Sequence, residues 1–148
     1  MQGKDQQPVL RLLVERWIAA FNAHDVTEIV ALYTDDAELF DAGMKRPRHG
    51  RAEITDWFRQ RFRTMPAISY TPTSEIMLTE EQGAITWIVR GQSPRLLGQG
   101  WLARPFHVAG VSVFTAQAGL IASQRGYYDH LALVEQILPP LGWLPTRL

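Results

Sequence analysis

Proton chemistry needs a titratable side chain held in a covered place, and the first candidate in this chain is Asp129, at the end of the stretch from Pro105 to His130. Val108, Val111, Val113 and Phe114 predict one strand of a hairpin, Thr115 to Gly119 its turn, and Leu120 onward a second strand. An uninterrupted period of two would put Ile121, Ser123, Arg125, Tyr127 and Asp129 on one face. Asp129 would then close a largely covered strand, where a carboxylate is either a paired structural acid or a working acid–base group. His107, on the preceding strand, is the candidate hydrogen-bond donor or proton shuttle beside it, and Arg90 a candidate charge partner. Alternation leaves open which side His107 faces: Ala109, Val111 and Val113 share its face, and Val108, Gly110, Ser112 and Phe114 the other. His24 and His49 fall in turns or loops, and no two histidines have helical or strand spacing for a metal, so no metal is expected.

The elements that must hold these groups follow from apolar spacing. Leu10, Leu13, Val14, Trp17, Ile18 and Phe21 form a buried helical stripe, with Pro8 suited to its first turn. Asp25 and Glu28 read as a capping pair for a short second helix, Thr34 to Asp36 as a turn, Ala37 to Asp41 as a strand, and Ala42 to Gly50 as a loop. A third helix is predicted from Arg51 to Met65, with Ile54, Trp57, Phe58, Phe62 and Met65 on its apolar face. Extended stretches follow at Ile68 to Thr79 and Ala84 to Gln92. Ser93 to Arg104 is a lid or an ordinary long hairpin loop, and Leu131 to Leu138 a last helix stopped by Pro139 and Pro140. The order predicts an α+β domain in which helices pack on one face of a curved sheet. Such a cone, closed by Trp17, Phe21, Tyr33, Phe40, Trp57, Phe58, Phe62 and Trp87, is either filled by those side chains or holds a flat apolar ligand.

Composition narrows the function classes. Fifteen basic and fifteen acidic residues give no net charge, and the basic group of Lys45, Arg46, Arg48, Arg51, Arg59, Arg61 and Arg63 shows neither an overall positive excess nor evident aromatic stacking among its charges. These side chains read as a solvated loop and helix face, so no nucleic-acid partner is expected. With no cysteine there are no disulfides or thiolate nucleophiles, and with no long apolar run there is no expected membrane partner. The polar start, MQGKDQQP, lacks the apolar run of a signal peptide, which leads to the expectation of a cytoplasmic protein. At 148 residues the chain fits one domain, with its core at about residues 8–138.

Three stretches, RWIAAFNAHDVTEIVALYTDDAELFDAG (Arg16 to Gly43), GRAEITDWF (Gly50 to Phe58) and GVSVFTAQAGLIASQRGYYD (Gly110 to Asp129), resemble the SnoaL-like polyketide cyclases. These lie within the nuclear transport factor 2-like superfamily of α+β cones that also holds ketosteroid isomerase and limonene epoxide hydrolase. The resemblance implies an NTF2-like cone: a curved, mostly antiparallel sheet wrapped around three N-terminal helices, with a short C-terminal helix. It also implies a cyclase role for Asp129, which stands in a final-strand motif Tyr127-Tyr128-Asp129 like that of the cyclases. The isomerases' general base falls in a segment like Glu38-Leu39-Phe40-Asp41-Ala42, which nominates Asp41. Their oxyanion donors fall on Trp17 and near Gly110, so an oxyanion hole of their type is not expected. Arg90-Gly91-Gln92 keeps the arginine of the hydrolases' Arg-x-Asp pair and loses its carboxylate, which ranks that activity lower.

The resulting expectation is a cofactor-independent enzyme performing aldol cyclisation or isomerisation on a polyketide-like or polycyclic substrate. Its catalytic set is Asp129, Asp41 and His107. Its hydrophobic small-molecule ligand would be bound by Trp17, Phe21, Tyr33, Phe40, Trp57, Phe58, Phe62, Trp87, Arg90 and Tyr127. The alternative is a non-catalytic ligand-binding or assembly module on the same cone. Pairing of two copies through the outer sheet face is expected from the resemblance and from the bare side such a sheet leaves.

Overall fold

The computed structural model describes residues 2–93 and 104–137, with only the backbone for residues 2–6. Helix α1 (Gln2–Asn22) carries the predicted stripe, and Leu10, Leu13, Val14, Trp17, Ala20 and Phe21 are buried. It starts further upstream than expected, so that Pro8 lies inside the helix and not at its first turn. In α2 (Val26–Ala31) the Asp25 carboxylate caps the Glu28 N–H at 3.0 Å, while the Glu28 side chain turns away to Arg16 at 2.7 Å. Only half of the predicted capping pair therefore forms.

Strand β1 (Tyr33–Asp41) absorbs the predicted turn at Thr34 to Asp36 as an irregularity between Tyr33 and Glu38. The expected loop after it contains a short strand β2 (Arg48–His49), antiparallel to β1. Helix α3 (Gly50–Thr64) buries Ile54, Phe58 and Phe62. At its start Glu53 accepts from the backbone N–H of His49 at 2.8 Å and from Arg46 at 3.0 Å. The bond from Arg46, followed by that from His49, holds this carboxyl at about 2.

Strands β3 (Ser69–Pro72), β4 (Met77–Leu78), β5 (Gln82–Gln92), β6 (Pro105–Gln117) and β7 (Leu120–Tyr128) complete a sheet of order β2-β1-β7-β6-β5-β3, with β4 also on β5. Only β1 and β7 run parallel among its pairs of described strands. Helix α4 (His130–Ile137) follows, and most of the predicted lid, residues 94–103, lies outside the described residues together with residues 138–148. No helix among the described residues is long and apolar enough to cross a membrane.

The hairpin of β6 and β7 decides which side chains enter the cone. Its turn is two residues, Ala118 (φ 52°) and Gly119 (φ 78°), the left-handed pair that matches strand twist in a tight hairpin. Beyond it Ala116 pairs with Ile121 but Thr115 pairs with Ser123, so β7 carries one extra residue at Ala122. Such a bulge shifts every later side chain to the other face. Ile121 faces the core, and after the bulge Gln124, Gly126 and Tyr128 do so, while Tyr127 stands 44% exposed. The uninterrupted alternation expected for this strand is thereby overturned.

Candidate functional site

Register sets the floor of the cone. Gly126 pairs with Asp41 on one side and Ser112 on the other, so these three lie in a row across β1, β7 and β6. Gln124 lies between Leu39 and Phe114 in the next row, and Gly110 lies between Tyr128 and Trp87. A Cβ on Gly110 would stand 2.5 Å from the Trp87 ring, so the glycine lets the indole lie flat on the sheet. Around this floor Trp17, Phe21, Trp57, Phe58, Arg61 and Tyr70 help to enclose a cavity of about 90 Å³. Cavities that enclose a drug-sized ligand run from roughly 300 Å³ upward, so this one admits a ring and leaves any larger body at the mouth.

Hydrogen bonds orient its polar groups. The indole of Trp17 can only donate, and its N–H goes to the Tyr33 hydroxyl at 2.9 Å. Tyr33 in turn donates to Oε1 of Gln124, which fixes the amide with its NH₂ away from Tyr33. Ser112 accepts from the Trp87 indole at 2.9 Å and, more weakly, from Tyr70 at 3.4 Å, leaving its own hydroxyl proton to donate. Burial pushes the Tyr33 and Tyr70 phenols well above the ordinary tyrosine value, so both remain neutral donors.

Asp41 is the acidic residue among those that line the cavity. Its Oδ1 accepts from the backbone N–H of Gly43 at 2.9 Å and from the Tyr128 hydroxyl at 3.0 Å. The other oxygen, Oδ2, lies 4.0 Å from the point a Gly126 Cβ would occupy, and Ser112 Oγ lies 3.8 Å from the same point. The missing side chain of Gly126 thus leaves a cradle with a carboxylate oxygen on one side and a hydroxyl on the other. Burial, then the negative charge of Asp41 and the bond to it, push the Tyr128 phenol well up, so it stays protonated and donating.

Of the predicted site residues, Asp41, Trp17, Phe21, Phe40, Trp57, Phe58 and Trp87 line the cavity. The Phe40 ring itself lies on the opposite face of the sheet, 5.9 Å from the Tyr127 ring and under Arg125. Tyr33 stands behind the wall as a hydrogen-bond relay, and Phe62 stacks on His24 at 4.4 Å. Four predicted contributors, Asp129, His107, Arg90 and Tyr127, point elsewhere. Asp129 is exposed and caps α4 through a 3.0 Å bond from the Ala132 N–H, since β7 ends at Tyr128, one residue before it. His107 is exposed on the outer face, since Phe106 and Val108 take the inward positions; its backbone N–H and carbonyl both bond to the Gln136 amide of α4, at 2.9 and 2.8 Å. Arg90 and Tyr127 are exposed, Arg90 paired in register with His107 and the Tyr127 hydroxyl accepting from Arg125 at 2.8 Å.

Sequence reasoning missed Ser112, Gln124 and Arg61 as site residues and held Tyr128 only as an apolar neighbour of Asp129, yet all four line the cavity. A polar residue on an otherwise apolar strand face was the available signal for Ser112, which shares its face with Val108 and Phe114. Among the described residues no three His, Asp or Glu side chains gather as a metal site would require.

Trp17 is both wall and core. It is 3% exposed, its ring lies 5.2 Å from Phe21 and from Tyr70, and its N–H sets the relay through Tyr33 to Gln124. Trp17→Phe is therefore expected to cost about 1–3 kcal/mol, from lost packing and the orphaned Tyr33 lone pair. Urea denaturation measures it, and a loss below about 0.5 kcal/mol would contradict the relay.

An α+β cone with an apolar interior, closed by three helices and a curved mixed sheet, defines the class of nuclear transport factor 2 and ketosteroid isomerase-like folds. Residues 14–124 match the SnoaL-like domain family, and the chain belongs to it. Among solved structures it is similar to a protein from Shewanella denitrificans assigned to the SnoaL-like polyketide cyclases (14% identity, TM-score 0.78, covering 89% of this chain and 98% of that one). It is also similar to the epoxide hydrolase/cyclase-like enzyme SalBIII, described for pyran ring formation in the polyether salinomycin (21%, 0.73, 89% and 97%). A third is a protein of ketosteroid isomerase-like fold from Catenulispora acidiphila, in complex with trimethylamine (20%, 0.74, 90% and 97%). At these identities the likeness establishes the fold.

Proposed function

We propose that this protein is an enzyme that moves a proton on a small aromatic or polyketide-like ketone, in an isomerisation or an aldol cyclisation, with Asp41 as the general base. The observation that carries this is the Asp41 carboxylate, held by two donors on Oδ1 and facing the Gly126 cradle with Oδ2. Oδ2 takes a proton from the carbon next to a carbonyl, and the electron pair of that bond moves onto the carbonyl oxygen. The hydroxyl of Ser112 and the NH₂ of Gln124 donate to the enolate oxygen so formed, in the apolar setting where such bonds count most. In an isomerisation the proton on Asp41 returns to a different carbon. In a cyclisation the enolate carbon attacks a second carbonyl, and Asp41 protonates the resulting alkoxide.

A probe independent of the native substrate is 2-tetralone, a small bicyclic ketone with a fused aromatic ring and acidic C–H bonds. NMR in deuterated buffer should find its exchange accelerated by the protein. A protein that binds the ketone without accelerating exchange would support the rival reading, a ligand-binding module.

Pairing of two copies through the outer face belongs to the same proposal, since Val111, Val113 and Tyr127 stand on that face only partly covered. Sedimentation at micromolar concentration is expected to find a species of twice the 16.8 kDa chain mass, and a monomer alone would count against it.

A further inference from the structure

We propose that Arg61, held against Trp57, is an anion subsite at the mouth of the cone that takes the carboxylate of an aromatic ligand whose ring enters the cavity. This deepens the proposed function by naming a substrate class for the same site, and it rests on the cone being a ligand pocket. Arg16, Arg46, Arg51 and Arg125 each face a carboxylate within 4.0 Å: Glu28, Glu53, Asp35 and Glu38 respectively. Arg61 makes no such pair among the described residues, yet it is the arginine that lines the cavity. Among the described residues its side chain makes one hydrogen bond, a weak contact from Nη1 to the Met65 sulfur at 3.7 Å.

What holds it is stacking: the guanidinium lies 4.5 Å from the centroid of the Trp57 ring, which also lines the cavity, and Arg48 lies 5.4 Å from the same ring. A stacked guanidinium keeps its N–H edge free for a planar, two-oxygen acceptor, which is what a carboxylate offers. The acid nearest in function, Asp41, is engaged by Gly43 and Tyr128 on one oxygen and faces the Gly126 cradle with the other. The positive charge of Arg61 nevertheless reaches this corner, since it pulls the Tyr128 phenol down against the stronger upward effect of burial. The lining therefore offers an acidic and a basic side chain separately: Asp41 beside the cradle, and Arg61 open to an incoming anion.

The test uses 2-naphthoate and 2-naphthamide, which share a ring system and planar head group and differ in charge. Each competes with the fluorescence of N-phenyl-1-naphthylamine on the full chain. Naphthoate is expected to bind more tightly than naphthamide, and Arg61→Gln to weaken naphthoate by about ten- to a hundredfold while leaving naphthamide within about twofold. Unchanged naphthamide binding also reports that the variant is folded. Equal weakening of both ligands, or of neither, would overturn the anion subsite and leave the pocket standing. Failure of both ligands and of the dye to bind the parent protein would overturn the pocket and the subsite with it.

Discussion

Asp41→Asn is expected to slow deuterium exchange into 2-tetralone by about 10²- to 10⁴-fold, the usual share of a general base, with the fold intact. The substitution is close to isosteric, and Asn Oδ1 can still accept from the Gly43 N–H at 2.9 Å and the Tyr128 hydroxyl at 3.0 Å. What changes is the group facing the cradle: Oδ2 becomes an NH₂, which donates and cannot take a proton. The informative companion is Asp129→Asn. Asp129 caps α4 from outside the cavity, and asparagine is an equally good cap, so exchange should stay within about twofold of the parent. A dead Asp129 variant beside an active Asp41 variant would reverse the assignment and return the base to the position that the family motif suggested.

Gly126→Ala is expected to raise stability and lower activity together. The new methyl would sit 3.8 Å from Ser112 Oγ, 3.9 Å from the Phe40 carbonyl and 4.0 Å from Asp41 Oδ2, all ordinary contacts, so nothing need move to admit it. Replacing glycine within a strand also reduces the freedom of the unfolded chain, a gain of about 0.4–1 kcal/mol where the backbone conformation suits alanine. The methyl, however, fills the place where the reacting carbon must come within roughly 3–3.5 Å of Oδ2, and a displacement of about 1 Å there costs on the order of a hundredfold in rate. A melting temperature at or above that of the parent, with exchange reduced about a hundredfold, is the predicted pair of results. A fully active Gly126→Ala protein would place the reaction elsewhere in the cone.

The sequence by itself determined the helices, the hairpin and part of the aromatic wall, namely Trp17, Phe21, Trp57, Phe58 and Trp87. The apolar stripe of Leu10, Leu13, Val14, Trp17 and Phe21 is buried as its spacing requires, and so are Ile54, Phe58 and Phe62 of α3. Both patterns are local, since a period of 3.6 residues needs no knowledge of a partner. The family, too, was legible in the motifs. The face of β7 was not, because a bulge is a property of pairing.

Ile121 is tied by its N–H to the Leu32 carbonyl at 2.7 Å, and Ala116 by its own to the Glu81 carbonyl at 3.0 Å, on segments distant in sequence. Those bonds accompany an extra residue at Ala122, and that residue exchanges the two faces of everything after it. Tyr128 enters the cone in place of Tyr127, Gln124 and Gly126 enter in place of Arg125, and Asp129 becomes a helix cap. The proposed base is accordingly Asp41, which the isomerase-like segment had nominated and which cross-strand register sets opposite Gly126. Arg61 was half legible, being four residues from both Trp57 and Met65 on the helix, but a run of arginines on one element looks solvated until the packing of α3 against the sheet turns one of them to the mouth.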